Sequence, residues 1–215
     1  MACTYSLTIR TDPEGRAKLS ETGSSIVIAR PVGARRPNLA WIVLPPLAAI
    51  WIKWTDTYGL FASETPLRAD AIIEPRHTVY PAAHRHLYSY GDYGFGPPQT
   101  DDRLPPGQYD VRNECERIAV FGLLQSATVN ATSFRRPLNA VALAPNCRAN
   151  FATAHCAYVW VEAHVVAGSV VVDIPNTALK MRFNARNRLR ACDYDSENRR
   201  FAITQPPLVS GVSDS

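Results

Sequence analysis

His84 and His86 are the pair in this 215-residue chain whose type and spacing stand nearest to chemistry. On an extended strand alternate side chains leave the same face, so His84-x-His86 would aim two imidazoles at one point. Two such imidazoles are half of a divalent metal site. A cupin-type metal-dependent enzyme adds a carboxylate a few residues later and a further histidine. Here Asp92 is the nearest carboxylate after the pair and no glutamate comes before Glu114. The third ligand would fall to His164 or His155. The missing glutamate weighs against the metal reading and toward imidazoles that bond to backbone or orient a ligand.

The same parity sets Tyr88 and Tyr90 beside the two histidines, and Tyr93 follows. Upstream, Trp51, Trp54 and Tyr58 lie in a second aromatic stretch. Rings that stack and polar tips that orient are what a pocket for a small aromatic molecule needs. These residues therefore predict a small-molecule ligand, with a bound aromatic chromophore or a divalent metal ion as the cofactor. Another class uses the same rings differently. A carbohydrate- or membrane-surface-binding module makes contact through exposed Trp and Tyr.

Other constellations are less specific. Glu162 and His164 share strand parity with Tyr158 and Trp160, which marks a solvent face or a base with its orienting partner. Lys180, Arg182, Arg186, Arg188, Arg190, Arg199 and Arg200 form a basic C-terminal region, interrupted by Asp193, Asp195 and Glu197. Few stacking aromatics accompany it, so it reads as a solvated loop and strand face and no nucleic-acid partner is expected. No G-x-S-x-G, P-loop or G-x-G-x-x-G motif occurs. Gly91, Gly94 and Gly96 read as turn glycines. Cys115 lies between Glu114 and Glu116, which disfavours a thiolate.

Elements must hold these residues in place. Residues of the apolar class make up 46% of the chain and charged residues 20%, which is the composition of a globular protein. Net charge is +4 and demands neither nucleic acid nor an anionic membrane. The five cysteines are odd in number and lack a C-x-x-C spacing, so reduced thiols are expected. The first residues show no basic and apolar leader, and Pro45-Pro46 splits the longest apolar run, Leu39 to Ile52. A cytoplasmic protein with no transmembrane segment follows, and a homo-oligomer is compatible with it.

Seventeen prolines argue against an all-helical fold, and no stretch keeps a helical period. Tyr5, Leu7 and Ile9 alternate with Ser6, Thr8 and Arg10. Residues 11–24 read as turn and loop. Ser25–Pro31 is a second strand. Two strands flank the Pro-Pro turn as a hairpin, with Trp51, Lys53 and Thr55 on one face and Ile50, Ile52 and Trp54 on the other. Further strands fall at 67–73, 83–90, 107–113, 118–124, 127–134, 138–144, 150–153, 158–166, 170–174, 177–183 and 201–204. The total is about a dozen short strands roughly ten residues apart, the pattern of an all-β protein. The expected architecture is a single-domain antiparallel β-sandwich, jelly-roll-like, over residues 1–205, with a tail at 206–215.

Several segments carry a resemblance. IVIARPVG, PNLAWIVLPP, WTDTYGLFAS, PPGQYDVRNE, FGLLQSATVN and PLNAVALAP are similar to segments of small fungal β-sandwich proteins, the group that includes the pink chromoprotein of oyster mushrooms. The likeness runs from about Ile26 to Ala144 and rests on scaffold strands and turns. It implies an all-β protein that holds a small aromatic chromophore. It assigns no ligand residue, and the stretch from His77 to Phe95 lies outside it.

Overall fold

The computed structural model describes residues 3–206. The chain opens with β1 (Thr4–Thr11), α1 (Pro13–Glu21), β2 (Ser24–Ala29), β3 (Ile42–Leu44), β4 (Ala49–Ser63) and β5 (His77–Val79). Next come β6 (His86–Gly91), β7 (Gly94–Phe95), β8 (Gln99–Thr100), β9 (Gln108–Asn113), β10 (Ala119–Val129) and β11 (Thr132–Pro137). The last are β12 (Val141–Leu143), β13 (Arg148–Ala152), β14 (Cys156–Ala163), β15 (Leu179–Arg182), β16 (Leu189–Asp195) and β17 (Arg200–Thr204). The fold is all-β with one helix and no closed barrel.

The strands form three sheets. The largest runs β11-β10-β4-β1-β16-β17, with β12 on β10 and β5 on β4. The second runs β13-β9-β6-β7, with β8 on β6, and the third runs β15-β14-β2-β3. Pairing is antiparallel except at two places. β1 runs parallel to β16 and β6 runs parallel to β9, which corrects the expectation of a wholly antiparallel fold.

Local chemistry explains the elements that the pattern missed. Asp12 caps α1 by accepting from the Gly15 amide at 2.6 Å, and Pro13 supplies a preset first turn. The Asp-Pro-Glu start thus makes a helix where a loop was expected. Leu19 is its buried anchor. A Cβ at Gly15 would come within 3.0 Å of the Tyr194 ring, so glycine lets the helix approach β16 closely.

The Pro45-Pro46 pair does not close a hairpin. β3 pairs with β2 in the third sheet and β4 pairs with β1 in the largest. The two prolines carry no N–H, so they end one ladder and let the chain cross to another sheet. Within residues 127–134 the structure places a hairpin turn at Asn130-Ala131, both with positive φ, joining β10 to β11. Residues 67–73 and 170–174 contribute only isolated bridges, Ile72 to Ser169 and Leu39 to Val170.

Alternation holds in the first half of β4. Ile50, Ile52 and Trp54 are buried, while Trp51 and Lys53 are exposed. From Tyr58 to Ser63 every residue is buried, as expected of a strand covered on both faces. The main core joins Leu7 and Ile9 of β1, Ile26 and Ile28 of β2, and Val111 of β9, so it draws on all three sheets. Each of these side chains contributes roughly 1.5–3 kcal/mol by leaving water. Among the described residues no helix is long and apolar enough to cross a membrane. The tail expected at 206–215 lies, apart from Pro206, outside the described residues.

Candidate ligand-binding groove

The structure divides the predicted site residues among unrelated surroundings. Arg85 has a φ of 62°, so extension breaks between the two histidines and His84 lies outside β6. His84 is exposed, and its carbonyl accepts from His86 Nδ1 at 2.8 Å. That bond leaves His86 Nε2 as an acceptor, and it lies 3.2 Å from the Thr100 hydroxyl. Both ring nitrogens of His86 are therefore engaged. His164 is exposed in a left-handed conformation just past β14. Among the described residues no group of three or more His, Cys, Asp or Glu side chains is placed to hold a metal ion.

Parity does hold from His86 to Tyr90, and it turns the tyrosines inward. Tyr88 and Tyr90 are buried, and burial pushes both phenols up from their ordinary acidity. The Tyr88 hydroxyl accepts from the Ala83 amide at 2.7 Å and donates to the Ala83 carbonyl at 3.0 Å. The Tyr90 hydroxyl is bonded to His77 Nδ1 at 2.9 Å, and its ring meets Phe95 and Phe121 edge-on. Tyr93 is fully exposed in the turn between β6 and β7. Apart from Tyr93, these groups fasten a loop to a sheet, and their bonding capacity is spent internally.

Trp54 and Tyr58 serve a buried cation. Arg30 follows β2 and is 1% exposed. Its Cζ lies 5.2 Å from the Trp54 ring centre, 5.7 Å from Trp41 and 5.9 Å from Tyr58. The guanidinium donates to Gln125 Oε1, to the Ala154 carbonyl at 2.7 Å and to the Tyr58 hydroxyl at 3.3 Å. Among the described residues no carboxylate pairs with it. Neutral acceptors and π faces compensate this charge instead. Arg30 thereby ties β2 to β4 and β10 and links two sheets.

The expected solvent face of β14 is also covered. Trp160 is buried against Val171 and Ile174, and its Nε1 donates to Glu162 Oε2 at 2.6 Å. Glu162 and His164 do not form a base pair. Cys115 is buried, and burial with the nearby Asp92 pushes its thiol up; the flanking glutamates are not the cause. All five cysteines are free.

Trp51 has a different setting. It is 53% exposed on the outer face of the largest sheet. Its backbone is pinned to the β10–β11 turn, with its N–H donating to Asn130 Oδ1 at 2.8 Å and its carbonyl accepting from the Asn130 N–H at 3.0 Å. Register sets Thr8 opposite Trp51. One row further on, Ser133, Thr128, Lys53, Ser6 and Leu189 lie side by side across five strands. Neighbouring strands are about 4.8 Å apart, so this row spans about 19 Å. It is a hydroxyl-bearing face with one large ring.

A groove of about 750 Å³ opens over this face between β1, β4 and the segment leading into β16. Trp51, Lys53, Arg186, Arg188 and Arg190 are in its wall, and Thr4, Ser6 and Thr8 are on its floor. Two shallower depressions of about 250 and 470 Å³ adjoin it, and Lys53 lines all three. No aspartate or glutamate lines any of them. Tyr5 reaches the groove from the buried side. Burial and its bond to Asp56 at 3.0 Å push its phenol up to about 12.

The arginine segment is held before any ligand arrives. Asn184 Oδ1 accepts from the amides of Arg186 and Asn187 at 2.9 and 2.8 Å. The Arg188 carbonyl accepts from the Ser6 amide at 2.9 Å, which fastens the segment to β1. Arg188 Nε donates to the Ala185 carbonyl and Arg190 Nε to the Arg182 carbonyl, at 3.1 and 3.0 Å. Each guanidinium is thus oriented through one donor.

Sequence reasoning placed Trp51 in a set with Trp54, which faces the core. It treated the arginines as solvated. What it lacked was the parallel pairing of β1 with β16, which brings residues near position 6 beside residues near 189. The alternation of Cys192 and Tyr194 inward with Asp193 and Asp195 outward was a usable sign of that strand.

No protein-family model, curated protein or solved structure matches this chain. The likeness to the fungal chromoprotein group rests on the quoted segments alone.

Proposed function

We propose that this protein is a non-enzymatic carbohydrate-binding module in which a sugar ring stacks on Trp51. The observation that carries this reading is a half-exposed indole in the wall of a groove that opens over a hydroxyl-bearing sheet face. An indole offers an apolar plane to the C–H face of a pyranose, and Thr4 and Ser6 offer hydroxyls to its rim. The expected jelly-roll-like stacking of sheets belongs to the same proposal, with the Trp51 face as the open side of one layer. Calorimetric titration of the wild type and Trp51→Ala with oligosaccharides found on a glycan array tests it. The variant should lose about tenfold or more in affinity, equivalent to ~1.4 kcal/mol. Equal binding by both proteins would overturn the reading.

A second reading keeps the small aromatic ligand. The groove volume falls in the range of small-molecule sites, about 300–1,000 Å³. A planar chromophore could then occupy the Trp51 wall. A visible absorbance band in the purified protein, lost in Trp51→Ala, would support it.

A further inference from the structure

Resting on the carbohydrate reading, we infer that the groove selects an acidic glycan, one bearing sulfate or uronate groups. The indole and the hydroxyls alone would suit a neutral sugar. The charge around them does not.

Lys53, Arg186, Arg188 and Arg190 converge on one groove, and no carboxylate lines it or its two neighbours. Elsewhere on the described surface many cations are paired, and those that are not, such as Arg68 and Arg135, do not line this groove. Arg10, Arg76, Arg85, Arg103, Arg117 and Arg148 each lie within ion-pair distance of an aspartate or glutamate. Among the described residues none of the four groove cations has such a partner. Like charges gathered without counter-charges repel one another, and a bound anion relieves that cost. Guanidinium forks match the planar geometry of carboxylates and the oxygens of sulfate. An Nε bond on each of Arg188 and Arg190 removes part of the side-chain freedom that binding would otherwise cost.

The occupant follows from the ratio of rings to charges. A single-stranded nucleic acid is held by successive stacked bases, which needs a track of aromatics. Trp51 is the one exposed large aromatic in the groove wall. An anionic vesicle would favour a protruding apolar tip, and here Trp51 lies in the wall of a concave surface. A polysaccharide needs one stacking ring, a hydroxyl-lined floor and regularly met anionic substituents. The row of Lys53, Ser6 and their neighbours across the sheet supplies a bed for such a chain.

The test titrates the full chain with a heparin hexasaccharide, a polyuronate hexamer and a neutral hexasaccharide of glucose. Single-stranded DNA and phosphatidylserine vesicles serve as rivals. The two acidic sugars should bind about tenfold or more tighter than the neutral one at low salt, and that margin should shrink as salt screens it. The polyuronate arm reads carboxylate alone, and the heparin arm reads sulfate together with carboxylate. The triple variant Lys53→Gln, Arg186→Gln, Arg188→Gln should lose the margin between acidic and neutral sugars at an unchanged melting temperature. Trp51→Ala should lose binding to both. If neutral and acidic sugars bind equally and the triple variant behaves as wild type, this inference falls and the carbohydrate reading stands. If no sugar binds the wild type, both fall. Tighter binding to DNA or vesicles than to acidic sugar at equal ionic strength would also overturn it.

Discussion

The segment from His77 to Gly107 and the Trp51 groove are built from similar side chains, and they differ in what those side chains have left to give. In the segment, His86 uses both ring nitrogens, Tyr88 both donates and accepts, and Tyr90 is bonded to His77. In the groove, a large ring faces water and four cations have no counter-charge among the described residues. Residue type makes a candidate. Unspent bonding capacity at a concave surface makes a site.

This contrast predicts opposite phenotypes. Changes among the satisfied groups should cost stability and leave binding alone, and changes in the groove should do the reverse. The largest effect belongs to Arg30→Ala. It strands Gln125, Tyr58 and two carbonyls in the core and leaves a cavity, so chemical denaturation should show a loss of about 3–5 kcal/mol. A loss below about 1 kcal/mol would mean that the guanidinium is not held as described. Tyr88→Phe should cost about 1–2 kcal/mol by removing both bonds to Ala83, with ligand affinity unchanged. A fall in affinity in that variant would return the segment to the site.

Smaller effects sharpen the same comparison. Ala131 holds a φ of 74° in the turn that pins Trp51. Ala131→Gly should raise stability by about 1 kcal/mol, because the left-handed conformation strains a side chain. Trp51→Ala should change the unfolding free energy by no more than about 0.5 kcal/mol, as expected for an exposed position. The alkaline limb adds a pH test. Tyr5 and Cys192 have acidities displaced to about 12, and burial also pushes Tyr109 up. A raised folded pKa favours the protonated form, so this stability is fully present below the unfolded values. It should fall as pH rises from about 9 toward 12. A melting temperature flat over that range would contradict the buried placement of these groups.

Much of the fold was legible because period-two alternation is local. Tyr5-Leu7-Ile9 and Ile50-Ile52-Trp54 face the core as their parity requires. The errors arose where a single backbone dihedral or a distant partner decides. Arg85 breaks the extension that would have joined His84 to His86, and nothing in its type announces a positive φ. The Asn130-Ala131 turn lacks the glycine that usually marks such hairpins. The Pro-Pro pair looked like a turn and is a crossing between sheets. The groove was half legible. The faces of Trp51 and Lys53 followed from parity, whereas their union with Arg186 and Arg188 depends on β16 lying parallel to β1.

The most direct test is a pair of titrations with one acidic hexasaccharide, on wild type and on Trp51→Ala, at matched melting temperature. A loss of affinity of about tenfold or more with unchanged stability is the predicted result. Equal affinity in the two proteins would contradict the assignment of the site to the groove.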